Sequence, residues 1–147
     1  MEPQKVIFNI SETIRNIRKA REELREATQK ENLLCAPVLT DYSLIPRLYQ
    51  IFCGLTDDMP AVNLDRRKVF IFIIQYIYAP RTLFGCKMPR GLRRRLAEAL
   101  GLNAATSVSR WASETMHHYL VYTQFRIEAN RIIGGMAEQM KDEGLLR

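Results

Sequence analysis

The sequence predicts an all-α protein: a multi-helix domain that contains a helix-turn-helix and has a long charged N-terminal helix and a C-terminal helix. Three patterns support this fold class. Apolar residues recur at helical spacing from residue 10 to residue 24, a largely apolar run lies between a capping aspartate and a proline, and leucines repeat every fourth residue up to a glycine. The composition, 47% hydrophobic and 26% charged over 147 residues, is typical of a folded chain of about one domain.

The N-terminal helix is predicted to begin with a cap at Asn9 or Ser11. Its apolar stripe consists of Ile10, Ile14, Ile17 and Leu24. Arg21 and Thr28 occupy the intervening positions of the heptad. Residues 1–34 are therefore expected to form a charged helical arm. This arm either forms a dimeric coiled coil, packs along its own domain or binds another protein.

Residues 35–147 are predicted to form the helical domain, whose first helix covers residues 43–53. Thr40 or Asp41 precedes this helix and supplies a capping oxygen. Gly54 follows the last of these residues, at a position where helices often end, so we expect the helix to stop there.

The next helix is predicted to lie at the centre of the core. Asp65 can cap it, the run Val69–Ala79 is almost wholly apolar or aromatic, and Pro80 stops it. Gln75 interrupts the run. The run is well short of the length needed to cross a bilayer, so we expect no membrane-spanning segment.

Residues 91–122 contain the predicted helix-turn-helix. The first helix is amphipathic, with leucines at 92, 96 and 100, and Gly101 follows where a helix C-terminus favours a left-handed residue. The second helix is predicted to begin at Thr106 or Ser107 and to continue past residue 119. Its inward positions are Val108, Ala112, Thr115 or Met116, and Tyr119.

The C-terminal helix is predicted from apolar positions that continue at helical spacing through Phe125 toward the end of the chain. Gly134–Gly135 either ends this helix or lets another helix approach closely. Met136 and Met140 are expected to be exposed and to form a partner surface.

Basic residues are concentrated in one part of the chain. Residues 66–110 contain ten lysines and arginines and one acid, Glu98, a local charge of +9 in a chain whose net charge is +6. Such segregation favours a polyanionic partner, because each cation near a phosphate releases condensed counterions. The partner expected from this pattern is double-stranded DNA, and a solubilising basic face is the alternative.

The order of these elements resembles a known family. An arginine-led apolar helix with a tyrosine, here Arg66–Lys68 and Tyr76, precedes a basic loop at residues 87–90. Seven residues then lead from Gly101 to Val108. This arrangement is similar to the Trp-repressor-like helix-turn-helix in the C-terminal DNA-binding domain of bacterial replication initiators.

The resemblance covers about residues 66–122 and implies that the second helix binds DNA. The family signature falls on Asn103–Val108, where the hydroxyl pair and the valine are kept. Ala104 and Ala105 stand where the family has an aspartate and a histidine that read bases. Recognition of an origin sequence is therefore not implied.

The charge pattern and the resemblance together give a set of candidate DNA-binding residues. Arg110 is the candidate for base reading, because arginine can bond a guanine edge in bidentate fashion. Thr106 and Ser107 either contact phosphates or cap the second helix. The other candidates are Asn103 of the signature, the phosphate clamps Lys87, Arg90, Arg93 and Arg94, and Arg66 and Arg67, which bind phosphate or only flank the buried helix.

No pattern in the sequence predicts an enzyme, and we expect no catalytic residue, cofactor or metal ion. His117 and His118 point about 100° apart on a helix and have no further ligand at a suitable spacing. Asp57 and Asp58 have no histidine or third acid beside them. The cysteines are odd in number and widely spaced, so we expect reduced, buried thiols.

Two functional hypotheses stay open at this point. In the first, the chain is a DNA-binding regulator or replication accessory of a bacterium, phage or mobile element, either as a monomer or as a dimer. In the second, it is a non-enzymatic interaction or structural adaptor, for example phage-encoded, with a solubilising basic face. The first residues lack the layout of a signal peptide, so a cytoplasmic location is expected for both.

Overall fold

The fold is seen in a computed structural model that describes residues 9–57 and 65–146. Within these residues every regular element is a helix and no strand occurs, which confirms the all-α class. None of these helices is both long enough and apolar enough to cross a membrane. The chain divides into two compact units, Met1–Ala36 and Pro37–Arg147.

The first unit contains helix α1, Ile10–Leu34, which follows the cap position Asn9 as predicted. The Asn9 side chain forms no capping hydrogen bond. None of the residues of α1 is buried. Its apolar stripe is about half exposed or more, with Ile10 at 52%, Ile14 at 50%, Ile17 at 47% and Leu24 at 66%.

The second unit is built around one buried helix. Its elements are a 3₁₀ helix Tyr42–Leu44, α2 Ile45–Thr56, α3 Arg66–Tyr78, a 3₁₀ helix Pro80–Phe84, α4 Arg90–Ala99, α5 Thr106–Ala112, α6 Thr115–Val121 and α7 Thr123–Asp142. Helix α3 contacts α2, α5, α6 and α7. All side chains from Val69 to Gln75 are buried. The predicted central helix is confirmed, since Asp65 caps it by accepting a hydrogen bond from the Arg67 amide at 3.0 Å.

The predicted start and end of α2 need correction. Asp41 does act as a cap, but it caps the 3₁₀ helix, where its carboxylate accepts from the Ser43 amide at 2.9 Å. Helix α2 begins only at Ile45 and continues through Gly54 to Thr56. The helix passes the glycine because Leu55 and Thr56 still pack inward, Thr56 being buried. The expected stop at Gly54 was wrong.

The C-terminal helix α7 also continues through its glycines. Of the two alternatives for Gly134–Gly135, close approach is the one found, at Gly135, where a Cβ atom would lie 3.1 Å from the Leu55 side chain of α2. Met136 and Met140 are buried, so the expectation of an exposed methionine surface was wrong. They lie on the inward stripe with Phe125 because α7 packs this face against the rest of the domain.

Replacing Gly134 by alanine is expected to raise the free energy of unfolding by about 1 kcal/mol. A Cβ at this position meets nothing within 4 Å, and alanine loses less backbone entropy than glycine in a helix. Gly135→Ala is the matched change, and its stabilisation should be smaller or reversed because Leu55 must move. Urea unfolding followed by circular dichroism measures both variants. Equal stabilisation would contradict the close approach of α2 and α7.

Candidate nucleic-acid interface

Helices α4 and α5 are joined by a tight turn at Gly101. Gly101 has φ of +68°, the left-handed conformation predicted for it. Its amide donates to the Glu98 carbonyl at 3.1 Å, and the Leu102 amide donates to the Ala97 carbonyl at 2.9 Å. These bonds satisfy carbonyls that the end of α4 leaves free, so the chain turns sharply toward α5.

The second helix of the pair is shorter than the sequence predicted. Helix α5 ends at Ala112 and α6 begins at Thr115, so the expected continuous helix past residue 119 was wrong. Val108, Ala112 and Thr115 are buried as expected. Met116 and Tyr119 are partly buried and belong to the separate helix α6.

A buried glutamine accounts for this break. The Gln75 side-chain nitrogen donates to the Ala112 carbonyl oxygen at 3.1 Å. The Thr115 hydroxyl lies 2.6 Å from the Gln75 side-chain oxygen and 3.1 Å from the Ala112 carbonyl oxygen. Gln75 and Thr115 are both 0% exposed, so these polar atoms satisfy each other without water. The Ala112 carbonyl thus bonds to side chains where a continuous helix would offer it an amide.

The exposed side of α5 carries two polar side chains, and a third belongs to the residue that follows the helix. Thr106, Arg110 and Ser113 are exposed, opposite the buried Val108 and Ala112. Neither Thr106 nor Ser107 caps α5, because the cap position falls on Ala105 and no side-chain capping bond forms. The capping alternative is therefore excluded for these residues. Ser113 was missed by the sequence analysis, which placed it inside a longer helix.

The predicted phosphate clamps come together around α4. Arg90, Arg93, Arg94 and Asn103 line a groove along α4 and the turn. Arg90 and Arg93 also line a cavity of about 660 Å³ that Lys87, Ser109 and Ser113 share. Arg93 Nη1 donates to Ser109 Oγ at 3.1 Å and so links α4 to α5. Ser109, beside Arg110 on α5, is therefore a further contact residue.

Arg66 and Arg67 lie elsewhere. They line a separate groove with Leu100. The Arg67 guanidinium pairs with Asp65 at 3.3 Å and stacks 4.6 Å from the centre of the Trp111 ring. Lys68 pairs with Glu114 at 3.2 Å. Because Asp65 and Glu114 lie just outside residues 66–110, the local charge of +9 overstates the free positive charge.

We call Lys87, Arg90, Arg93 and Arg94 the basic face. In the part of the chain that the structure describes, no carboxylate forms an ion pair with any of these four side chains or with Arg110. Other arginines of the domain are paired, as in Arg47–Glu143 at 2.7 Å and Arg131–Glu128 at 2.7 Å. The basic face therefore keeps charge that the domain does not neutralise internally.

The histidines, cysteines and acids of the described residues form no metal-binding cluster. Across residues 9–57 and 65–146, no group of three histidine, cysteine, aspartate or glutamate side chains could hold a metal ion, and Asp58 lies outside the described residues. His118 packs edge-on against Phe125, with ring centres 5.7 Å apart. Cys53 and Cys86 are exposed, so the expectation of buried thiols was wrong for these two.

Burial, aided by Lys68 and His117, lowers the pKa of the His118 imidazole below its usual 6.5 despite the nearby Glu114 carboxylate. The folded state then binds fewer protons than the unfolded state as the pH falls below 6.5, so stability should decline in that range. Melting temperatures from pH 7.5 to pH 5 should fall more steeply for the wild-type chain than for His118→Gln. Parallel curves for the two proteins would contradict this assignment.

Thr115→Val tests the buried hydrogen bonds at the end of α5. Valine keeps the shape of threonine but removes the only hydroxyl that reaches the Gln75 side-chain oxygen among the described residues, so we expect a loss of about 1–3 kcal/mol in unfolding free energy. Thr123→Val is the matched control at an exposed position and should change stability by less than about 0.5 kcal/mol. Chemical denaturation measures both. Similar values for the two variants would show that Thr115 does not hold the α5–α6 junction.

Comparison of the chain with protein-family models, with curated proteins and with solved structures finds no match. The similarity to replication initiators therefore stays a prediction that depends on residues 66–122 alone. Function is therefore inferred from the geometry of α4, α5 and the basic face.

Proposed function

We propose that this chain is a non-enzymatic protein that binds duplex DNA through the basic face and α5, with α4, the Gly101 turn and α5 acting as a helix-turn-helix. The observation that carries the proposal is the set of cations without carboxylate partners next to the exposed side of α5. Charge left unpaired on one face attracts a polyanion, because phosphate contacts release counterions.

The residues of the proposed interface divide into phosphate-binding residues and one base-reading residue. Lys87, Arg90 and Arg94 bind phosphates, and Arg93 does so while its bond to Ser109 holds it against α5. Arg110 reaches into the major groove from the exposed side of α5.

Sequence specificity should be modest. Helix α5 has 7 residues and spans only about 10 Å, so few side chains can reach base edges. Ala104 and Ala105, which precede it, carry no base-reading groups. A role as a small regulator or a replication accessory fits a protein whose affinity comes mainly from phosphates.

A protein-interaction adaptor is the second candidate, favoured by a different observation. Leu120, Val121 and Tyr122 at the end of α6 are more than half exposed, and so is Ile127 of α7. Leu120, Val121 and Tyr122 are consecutive, and exposed apolar side chains that adjoin one another are typical of protein-binding sites. In this case the basic face would only aid solubility, and DNA binding would be absent.

Binding to a mixed-sequence duplex at several salt concentrations tests the proposal. Four phosphate contacts predict a slope of log affinity against log salt of about −3 to −4. Fluorescence anisotropy between about 50 and 200 mM KCl gives the slope, because log affinity falls linearly with log salt concentration. No binding at the lowest salt, or a slope near zero, would leave the adaptor as the better hypothesis.

Single substitutions test the placement of the interface. Arg94→Ala should weaken binding to all sequences and reduce the salt slope by about 1, whereas Arg110→Ala should reduce sequence preference. Arg47→Ala removes the same charge from an arginine paired with Glu143, outside the basic face, and should leave DNA affinity nearly unchanged. If Arg94→Ala and Arg110→Ala behave alike, α5 is not the reading helix.

A further inference from the structure

The cavity of about 660 Å³ beside the basic face is lined by residues of α3, the second 3₁₀ helix, α4, α5 and α6. Its volume lies within the range of about 300–1,000 Å³ that is usual for small-molecule sites. We propose that it binds a small organic acid with an apolar body, whose carboxylate lies against Arg93 and Ser109. Binding of this acid goes beyond the proposed DNA binding and does not depend on it.

The inner wall of the cavity is mostly apolar. Leu83 and Ala112 are buried, and Met88 and Met116 are partly buried against the core. An apolar wall offers water few hydrogen bonds, so an apolar group that displaces this water gains affinity. The wall therefore favours a ligand with an apolar body.

The polar side chains at the inner wall already have partners within the protein. Gln75 bonds to Ala112 and Thr115, and the Thr82 hydroxyl donates to the Ala79 carbonyl oxygen at 2.6 Å. Among the described residues, no buried side-chain nitrogen or oxygen lacks a hydrogen-bond partner. The inner part of a ligand thus needs no polar group to satisfy this wall.

The mouth of the cavity is positively charged. Lys87 and Arg90 are exposed there, and Arg93 is half-buried. No aspartate or glutamate is among the described residues that line the cavity, whereas Glu98 lines the neighbouring groove along α4. A ligand in the cavity meets positive charge without a competing carboxylate, which favours an anion.

Arg93 and Ser109 offer two hydrogen-bond donors side by side. Because Ser109 Oγ accepts from Arg93 Nη1 at 3.1 Å, the hydroxyl keeps its own hydrogen to donate, and the guanidinium keeps further N–H groups. The Ser113 hydroxyl, by contrast, donates to the Arg110 carbonyl oxygen at 2.7 Å. The two oxygens of a carboxylate match the donors of Arg93 and Ser109.

Calorimetric titration of the full chain with naphthalene-1-carboxylate, without DNA, tests the site. We expect one bound molecule per chain with a Kd of about 1 mM or tighter. Acetate lacks the apolar body and naphthalene-1-methanol lacks the charge, so each should bind at least about tenfold more weakly. Absence of naphthalene-1-carboxylate binding, or equal binding of either comparison compound, would overturn the proposal.

Substitutions test where the carboxylate lies. Arg93→Ala should weaken the binding of naphthalene-1-carboxylate at least about tenfold. Arg95→Ala removes the same charge from an exposed residue of α4 that does not line the cavity, so the affinity should stay nearly unchanged. Ser109→Ala should weaken binding several-fold and serves as the second test if Arg93→Ala does not fold. Equal losses for Arg93→Ala and Arg95→Ala, or wild-type affinity in Ser109→Ala, would overturn the proposal.

The carboxylate and a DNA phosphate would compete for Arg93, a consequence that rests on the proposed function. At constant ionic strength, saturating naphthalene-1-carboxylate should lower duplex affinity several-fold relative to acetate, as measured by fluorescence anisotropy. A chain that binds the carboxylate but no DNA would contradict only the proposed function. Unchanged duplex affinity with the carboxylate bound would overturn its placement at Arg93.

Discussion

The hydrogen bond from the Gln75 side chain to the Ala112 carbonyl fixes the geometry of the proposed DNA interface. Gln75 lies in the most buried helix of the domain, so its amide has to find partners inside the protein. It finds them where α5 meets α6, and it thereby ends α5 after two turns. The same junction sets the positions of Ser109 and Ser113 relative to Arg93.

Two basic residues in the first turn of α3 contact Trp111 of α5 and Glu114, which follows α5. Arg67 stacks on Trp111 and Lys68 pairs with Glu114, so two basic residues of the positive segment stabilise the domain. Exposed pairs of this kind contribute about 0–1 kcal/mol each to stability. Their main effect is therefore to fix where Trp111 and Glu114 lie relative to α3. Asp65 and Glu114 are used in these contacts. Among the described residues, no carboxylate forms an ion pair with Lys87, Arg90, Arg93 or Arg94, although Glu98 lines the same groove as these arginines. The contacts of Arg67 and Lys68 thus neutralise the positive charge at α3 and leave the positive charge at α4 exposed.

Much of the fold could be predicted because its signals are local. The Asp65 cap, the buried run to Pro80 and the left-handed Gly101 each depend on a few neighbouring residues. The break between α5 and α6 could not be predicted by periodicity, since it depends on a hydrogen bond between residues 37 apart in sequence. Burial of Met136 and the approach of Gly135 to Leu55 likewise depend on which helix packs against α7. The free positive charge of residues 66–110 was overestimated because the acids that pair with Arg67 and Lys68 lie outside this range.

The short α5 limits how the proposed interface can gain specificity. Among the residues of α5 only Thr106 and Arg110 are exposed, so phosphate contacts from the basic face supply most of the proposed affinity. Such affinity distinguishes DNA from other partners but hardly one sequence from another.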